Sequence, residues 1–251
     1  MTEANNTRFN AEAKAWDFNP TVRKASELAL QSLMEHIPAL SISPPPDAKA
    51  PPRQPTLDVL EIGCGTGLLS FLVAPHVKSL VAVDAAEGMI EALKLKIENQ
   101  KGGMVGNVYP VCALLEDPDD ERIRLPHDVG PSRFDLVISH LALHHIPSLE
   151  DVLKTMYGCL KDGGMVALTD FEDFGPEASR FHQQAKMEGV ERHGLKKEEM
   201  ERLMRKAGFS DVNVQEAFRL EKRVETVRGG GLVVGNWEMM EFPFVICLGK
   251  R

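Results

Sequence analysis

The sequence predicts an α/β fold: a doubly wound, mostly parallel seven-stranded sheet whose last strand is antiparallel. Apolar runs typical of buried strands alternate with helical patterns, as in sheets covered by helices on both faces. The predicted strands lie at 58–62, 80–83, 108–114, 134–139, 165–169, 211–220 and 242–248, and the predicted helices between them at 66–74, 86–99, 148–160 and 198–207. Residues 221–241 contain three consecutive glycines and no helical face. Without a crossover helix there, we expect the final strand to return antiparallel.

The N-terminal part of the chain predicts a helical segment that precedes the sheet. Asn19-Pro20 marks a helix start, because asparagine caps helices and proline suits the first helical position. We expect residues 1–40 to form a helical lid and 41–56 a proline-rich linker. The main domain is expected at 57–251, with a substrate cap inserted at about 171–195.

Composition and charge favour one globular domain in the cytoplasm. The chain has 251 residues, of which 43% are hydrophobic and 26% charged, with a formal net charge of −8. This charge disfavours nucleic acid as a partner, because phosphate binding needs a basic footprint. Four cysteines without C-x-x-C spacing favour free thiols in a reducing compartment. We expect no membrane span and no signal peptide, and the oligomeric state stays open.

A glycine-rich turn between the first strand and the next helix is the most informative feature. Gly63, Gly65 and Gly67 let a ligand approach the backbone where a Cβ would collide, and the helix start offers N–H groups to anionic atoms. Asp84 ends the following strand, where a carboxylate can accept both hydroxyls of a ribose. Leu68 replaces the third glycine of the dinucleotide fingerprint. The turn indicates a nucleoside-bearing cofactor, with a nicotinamide site and a plain structural turn as alternatives.

The stretch 61–67 resembles the E/D-x-G-x-G-x-G motif of class I S-adenosylmethionine-dependent methyltransferases, which have a Rossmann-like sheet with an antiparallel last strand. Residues 134–146 resemble the F-D-x-V-x-S…L-H-H run of small-molecule methyltransferases related to ubiquinone and menaquinone biosynthesis enzymes. Leu160-Lys161-Asp162-Gly163-Gly164 is similar to their L-K-P-G-G. The resemblance extends from about residue 58 to the C-terminus. It departs at Cys112-Ala113-Leu114-Leu115, where such enzymes place an aspartate near the adenine.

This resemblance implies a site for S-adenosylmethionine, with S-adenosylhomocysteine as product, at the carboxyl ends of the strands. The three glycines would pass beneath the amino acid and ribose portions, and Asp84 would bind the ribose hydroxyls. Ala85 and Met89 would flank the adenine, whose polar contact is left open between backbone groups and Glu116. The implied cofactor-binding residues are Glu61, Gly63, Cys64, Gly65, Thr66, Gly67, Asp84, Ala85, Met89, Leu114, Leu115, Ser139 and His140.

Methyl transfer from a sulfonium needs alignment and exclusion of water more than a covalent catalyst. A general base helps where the acceptor carries a proton, and histidine has a suitable pKa. Because consecutive residues of regular structure face different ways, we favour His144 with His140 over His145, with His182 and His193 as remote candidates. A histidine that only hydrogen-bonds a loop is the alternative. No metal is expected, because no carboxylate or cysteine completes a ligand set.

Two segments are expected to build the acceptor pocket: Trp16-Asp17-Phe18 and the cap that begins near Phe171. Trp16, His144 and Phe171 are the predicted substrate-binding residues, and their rings suit a flat or apolar molecule. The resemblance implies a methyltransferase that acts on an oxygen, nitrogen or carbon atom of a small molecule. A protein or RNA methyltransferase, and a scaffold that binds the cofactor without turnover, are the alternatives.

Overall fold

The computed structural model describes residues 3–41, 54–99, 106–183, 186–187, 189–228 and 231–251, so residues 42–53 of the predicted linker lie outside it. The helices are α1 (Glu3–Trp16), α2 (Pro20–His36), α3 (Leu68–Val73), α4 (Glu87–Asn99), α5 (Leu149–Cys159) and α6 (Lys197–Ala207). The strands are β1 (Asp58–Ile62), β2 (Ser79–Asp84), β3 (Val108–Cys112), β4 (Phe134–His140), β5 (Leu160–Phe171), β6 (Ser210–Arg228) and β7 (Gly231–Lys250). Among the described residues, no helix has the length and apolarity needed to cross a membrane.

The seven strands form one sheet in the order β3-β2-β1-β4-β5-β7-β6. The pairs β1–β2, β1–β4, β2–β3 and β4–β5 are parallel, and β7 runs antiparallel between β5 and β6. The predicted doubly wound sheet with an antiparallel last strand is therefore confirmed. The strand order reverses between β1 and β4, so a crevice opens at their carboxyl ends, where ligands bind in open α/β sheets.

Helices cover both faces of the sheet, which explains why β1 and β2 are buried along their whole length. On one face, Leu60 and Val81 belong to a buried cluster with the apolar sides of α5 and α6. On the other face, Val59 and Leu80 pack in a second cluster with α2, α3 and α4. The carboxyl ends of the strands are thus held on a rigid, two-sided core.

The two helices within residues 1–40 have different neighbours. α2 contributes Ala29 and Leu33 to the buried cluster on one face of the sheet. α1 packs through Phe9 and Ala13 against Met89 at the start of α4. α1 therefore lies beside the carboxyl end of β2, next to the crevice.

The stretch 221–241, which we expected to be an irregular connection, is strand for most of its length. β6 and β7 form a long antiparallel hairpin, paired along 210–228 and 231–250. The prediction was wrong because charged side chains fill the outward positions. Leu220 and Val224 are buried, whereas Glu221 and Arg223 between them are exposed. The alternation of a half-buried strand is present but obscured by charge.

β5 also begins earlier than predicted. Its first residue, Leu160, pairs with Phe134, and regular pairing resumes where Met165 meets Leu136. Residues 161–164, predicted as a turn, form a bulge between these pairs, with φ of +78° at Gly163. β3 ends at Cys112, so residues 113–115 follow the strand rather than belonging to it.

Candidate active site

The turn after β1 adopts left-handed backbone at its three glycines, with φ of +77° at Gly63, +54° at Gly65 and +81° at Gly67. A Cβ at Gly63 would lie 2.4 Å from the side chain of Ala142. At Gly65 the nearest atom to an added Cβ would be the indole nitrogen of Trp16, 3.9 Å away. The space above Gly65 is therefore open to a ligand.

Asp84, at the end of β2, holds this turn in place. Its Oδ2 accepts a hydrogen bond from the Gly65 N–H (2.9 Å), and its Oδ1 accepts one from the Ala86 N–H (2.8 Å). Burial raises the pKa of Asp84, while these backbone donors oppose the shift. The Ala85 backbone N–H also acts on this carboxylate. Because a carboxylate offers about four acceptor positions, acceptor capacity remains for a hydroxyl of a ligand.

Glu61 lies on β1, just before the turn, and is only 1% exposed. Its carboxyl group accepts a hydrogen bond from the Ser70 hydroxyl. Burial raises the pKa of Glu61 to about 8; the Ser70 hydrogen bond opposes this shift and the charge of Asp84 adds to it. A cationic group brought close to Glu61 would favour its ionised form.

Two cavities meet at the turn and share Gly63, Asp84 and Ala142. The larger, of about 620 Å³, extends toward α5, and the smaller, of about 160 Å³, extends beneath α1. The predicted residues that line the smaller cavity are Trp16, Glu61, Gly63, Cys64, Gly65, Asp84, Met89, His140 and His144. Those that line the larger cavity are Gly63, Asp84, Ala85, Leu114 and Leu115, with Glu116 beside them.

Four predicted residues, Thr66, Gly67, Ser139 and Phe171, line neither of these two cavities. Gly67 precedes α3. The hydroxyl of Ser139 donates to the carbonyl of Ile62 (2.7 Å), which links β4 to β1. Phe171 is fully buried and stacks on Phe181, with ring centroids 4.1 Å apart. These four residues therefore lie behind the surfaces of the two cavities.

α1 and the loop that follows it are fixed to the domain beside the smaller cavity. Asp17 accepts a hydrogen bond from the Thr66 hydroxyl and forms an ion pair with Lys96 of α4 (2.7 Å). Asn10, within α1, accepts a hydrogen bond from the Gly88 N–H (2.8 Å). The helix is therefore tied to both the glycine turn and α4.

Three buried histidines lie at the end of β4 and in the turn after it: His140, His144 and His145. His140 is hydrogen-bonded through Nδ1 to the Thr169 hydroxyl (2.9 Å), and burial lowers its pKa to about 4. His144 and His145 both line the smaller cavity, contrary to our expectation that consecutive residues face apart. They lie on a single 3-10 turn (Leu143–His145), too short to separate them onto two faces, and their ring centroids are 4.0 Å apart.

The side chain of His144 is held by a buried carboxylate. Its Nδ1 lies 2.9 Å and 3.0 Å from the two carboxylate oxygens of Asp170, and its backbone N–H donates to the same group (3.1 Å). Asp170 is fully buried and also accepts a hydrogen bond from the Phe171 N–H (2.9 Å). This arrangement favours the tautomer in which Nδ1–H donates to Asp170 and Nε2 carries the lone pair.

The region expected to form a cap brings a further histidine to this place. The His182 ring lies 5.0 Å from that of His144 and 5.6 Å from that of His145, measured between centroids. Burial lowers the pKa of His145 to about 2 and also strongly lowers that of His182. Burial thus favours the neutral form of the His145 and His182 imidazoles.

Many residues that line the smaller cavity were not predicted as site residues, and among them are Arg8, Phe9, Glu12, Phe181, Lys186 and Lys222. Lys222 on β6 is the most informative. Its ammonium donates to the Phe181 carbonyl and lies 4.0 Å from the centroid of that ring, and burial lowers its pKa to about 8. Only the alternation along β6, which the sequence analysis missed, could have indicated that this lysine points inward.

The chain belongs to the methyltransferase-domain family, whose model matches residues 30–214. It is 31% identical over 115 residues to a malonyl-[acyl-carrier protein] O-methyltransferase of Priestia megaterium, covering 45% of this chain and 36% of that protein. It is 28% identical over 106 residues to a ubiquinone biosynthesis O-methyltransferase of Coxiella burnetii, covering 42% of this chain and 40% of that protein. The aligned segments thus span less than half the length of these relatives.

The fold is also found among solved structures. A SAM-dependent methyltransferase from Thermotoga maritima aligns over 97% of this chain and 98% of its own, with a TM-score of 0.59 and 18% sequence identity. At this identity, the likeness concerns the fold. The architecture is that of class I methyltransferases, as the sequence predicts.

Proposed function

We propose that this protein transfers a methyl group from S-adenosylmethionine to an oxygen, nitrogen or carbon atom of a small-molecule acceptor. The observation that carries the proposal is the open glycine turn beside Asp84, a buried carboxylate with acceptor capacity left, at the reversal point of the sheet. Membership of the methyltransferase-domain family supports the reaction type, as do two relatives named as O-methyltransferases.

In this proposal the nucleoside lies over Gly63 and Gly65, with the ribose hydroxyls on Asp84. The adenine occupies the larger cavity, beside Ala85, Leu114 and Leu115. The methionine portion extends into the smaller cavity, where Glu61 favours a cationic group such as an ammonium. Cys64, Met89 and His140, which line this cavity, are the remaining residues that we propose to contact the cofactor. Thr66, Gly67 and Ser139 would act indirectly, by supporting the turn and the end of β4.

S-adenosylmethionine supplies an activated methyl group: the acceptor's lone pair bonds to the methyl carbon while the carbon–sulfur bond breaks and sulfur keeps the electron pair. The protein aligns the acceptor with that group and excludes water beneath α1. His144, held by Asp170, takes the acceptor's proton at Nε2, and His140 lines the same cavity. Trp16 offers a flat surface to a planar acceptor, while Phe171 backs the His144 ring, with centroids 4.9 Å apart.

The shape of the smaller cavity favours a small molecule over a protein or RNA acceptor. The histidines lie in a space of about 160 Å³ that α1 borders, and the net charge of −8 gives no basic footprint for RNA. A scaffold without turnover has no need for the His144–Asp170 pair. Four free cysteines support a reducing compartment such as the cytoplasm.

The proposal is tested by incubating the protein with S-adenosylmethionine and a panel of phenols, enols and amines, and measuring S-adenosylhomocysteine release. We expect at least one acceptor class to raise release above the acceptor-free rate. His144→Ala should lower the stimulated rate by about 100-fold or more, whereas His193→Ala, at an exposed position, should not. Release that stays at the acceptor-free rate with every class, together with no binding of S-adenosylhomocysteine, would contradict the proposal.

A further inference from the structure

A cluster of three histidines lies in the smaller cavity. His144, His145 and His182 each present a ring nitrogen, and these three atoms lie within 4.8 Å of one another. Two of the residues come from the 3-10 turn after β4, and the third follows the 3-10 helix Pro176–Phe181. The cluster therefore forms where the region inserted between β5 and α6 folds against the end of the sheet.

Two of these imidazoles are oriented in the way that is common for metal ligands. The Nδ1 of His144 is hydrogen-bonded to the Asp170 carboxylate, and the Nδ1 of His145 lies 2.9 Å from the carbonyl oxygen of Gly189. A carboxylate or backbone carbonyl on one ring nitrogen fixes the tautomer and makes the other nitrogen a better ligand. Nε2 is therefore the donor atom in both residues.

His182 supplies an independent observation. Its Nδ1 is buried and has no hydrogen-bond partner within the described part of the chain. Buried polar atoms nearly always have a partner, so an exception needs an explanation. A cation bound among the three rings is one such partner, and it also relates His182 to the other two histidines.

We propose that His144, His145 and His182 bind one divalent transition-metal cation, and that its open coordination position takes an oxygen or nitrogen atom of the methyl acceptor. Imidazole ligands favour zinc, cobalt, nickel or copper over magnesium. Three histidines with one open position are typical of catalytic zinc sites. Nitrogens around such an ion lie about 3.3 Å apart, so binding would shorten the distances between the three ring nitrogens by up to about 1.5 Å.

This site differs from our expectation that no metal is bound. That expectation rested on the lack of a ligand to complete a set around His140, His144 and His145. In the structure, His140 is hydrogen-bonded to Thr169 and is not part of the cluster. The third ring of the cluster is that of His182, from the inserted region. Asp170 contributes as the carboxylate that orients His144 rather than as a ligand.

The inference rests on the proposed function only for the identity of the molecule in the open position. A bound cation lowers the pKa of a coordinated hydroxyl, so His144 would then serve the acceptor through the cation instead of taking its proton. The buried Asp170 carboxylate offsets part of the cation's charge. Lys222, which lines the same cavity, suits an acceptor that also carries an anionic group.

The test is a titration of the full chain, freed of metal by a chelator, with Co²⁺, whose visible absorption reports imidazole coordination. We expect one Co²⁺ per chain. His182→Ala should weaken Co²⁺ binding by more than about tenfold, and His182→Gln serves as a second, better-packed variant. His193→Ala should bind Co²⁺ like the unaltered protein, and all variants should keep their affinity for S-adenosylhomocysteine, which monitors the fold.

A protein that shows no Co²⁺-dependent absorption, or whose His182 variants bind Co²⁺ with unchanged affinity, would overturn the metal site. Full methyl transfer by the chelated protein, with no gain on adding Co²⁺, would overturn the contact between cation and acceptor. Failure to bind S-adenosylhomocysteine would instead contradict the proposed function, so the two failures are distinguishable.

Discussion

Glu61 and Asp84 are neighbouring buried carboxyl groups that accept hydrogen bonds from different donors. Asp84 accepts hydrogen bonds from backbone N–H groups, whereas Glu61 accepts one from a hydroxyl. Burial raises the pKa of both, and that of Glu61 reaches about 8. Without a cationic ligand, Glu61 is therefore protonated in the folded protein at neutral pH.

Because Glu61 is protonated at neutral pH only in the folded state, it should make the free energy of unfolding depend on pH. The carboxyl group ionises near 4.5 in the unfolded chain and near 8 in the folded one, so between these values only the folded state holds the proton. The free energy of unfolding should then fall as pH rises through this window, and Glu61→Gln should remove about 3 to 4 kcal/mol of that fall between about pH 5 and pH 8. Urea unfolding at about pH 5 and pH 8, without cofactor, measures this change in the free energy of unfolding.

Glu91→Gln, at an exposed position on α4, is the matched control. Its pH dependence should equal that of the unaltered protein, so contributions from other groups cancel in the comparison. Identical pH dependence in Glu61→Gln and the unaltered protein would show that Glu61 is ionised in the folded state.

Residues whose role is local could be predicted from the sequence. The glycine turn and Asp84 depend on a strand, a turn and a second strand that lie close together in the chain. His182 and Lys222 could not be predicted in the same way, because their positions depend on how the inserted region and β6 fold onto the sheet. These two residues could not be predicted because they are far in sequence from the rest of the site.

At the scale of elements, α1 lies outside the two buried clusters that cover the sheet and borders the smaller cavity. It packs on the start of α4 and on the His145 ring, and its Arg8 and Glu12 contact Lys186. Asp17 ties the following loop to Thr66 and Lys96. A segment held in this way can open and close without disturbing the core. We therefore expect α1 to affect cofactor affinity more than stability.

Asp17→Ala should weaken binding of S-adenosylhomocysteine by about tenfold, or about 1.4 kcal/mol, because the variant no longer holds the loop after α1 against the glycine turn. The free energy of unfolding should change by less than about 1 kcal/mol, because the ion pair is partly exposed. Calorimetry and urea unfolding measure the two quantities.

Glu27→Ala, which breaks the exposed Lys24–Glu27 pair on α2, is the control and should alter neither quantity. Unchanged affinity in Asp17→Ala, or an equal loss in Glu27→Ala, would mean that α1 does not help to retain the cofactor.

The long hairpin of β6 and β7 shows where element prediction fails. The sequence between 221 and 241 is rich in charge and contains three consecutive glycines, which are typical of a loop. Tertiary pairing overrides that preference, because inward positions such as Leu220 and Val224 are buried. A half-buried strand with a charged outer face carries too weak a pattern to be recognised alone.

At the scale of the whole molecule, the sheet could be predicted well. Alternating strands and helices require parallel pairing, and a last connection without a helix requires an antiparallel strand. The observed order places the reversal point between β1 and β4, so the glycine turn, Asp84 and the histidines after β4 meet at one edge. Local motifs thus become one site through topology.

The most direct test of the account is a calorimetric titration of S-adenosylhomocysteine into the unaltered protein and into Asp84→Asn. This variant keeps the size of the side chain but loses the charge that would bind the ribose. We predict one-to-one binding by the unaltered protein, a loss of about 30-fold or more in Asp84→Asn, and no change in Glu87→Gln, at an exposed position nearby. No binding by the unaltered protein, or equal affinity in Asp84→Asn, would contradict the account.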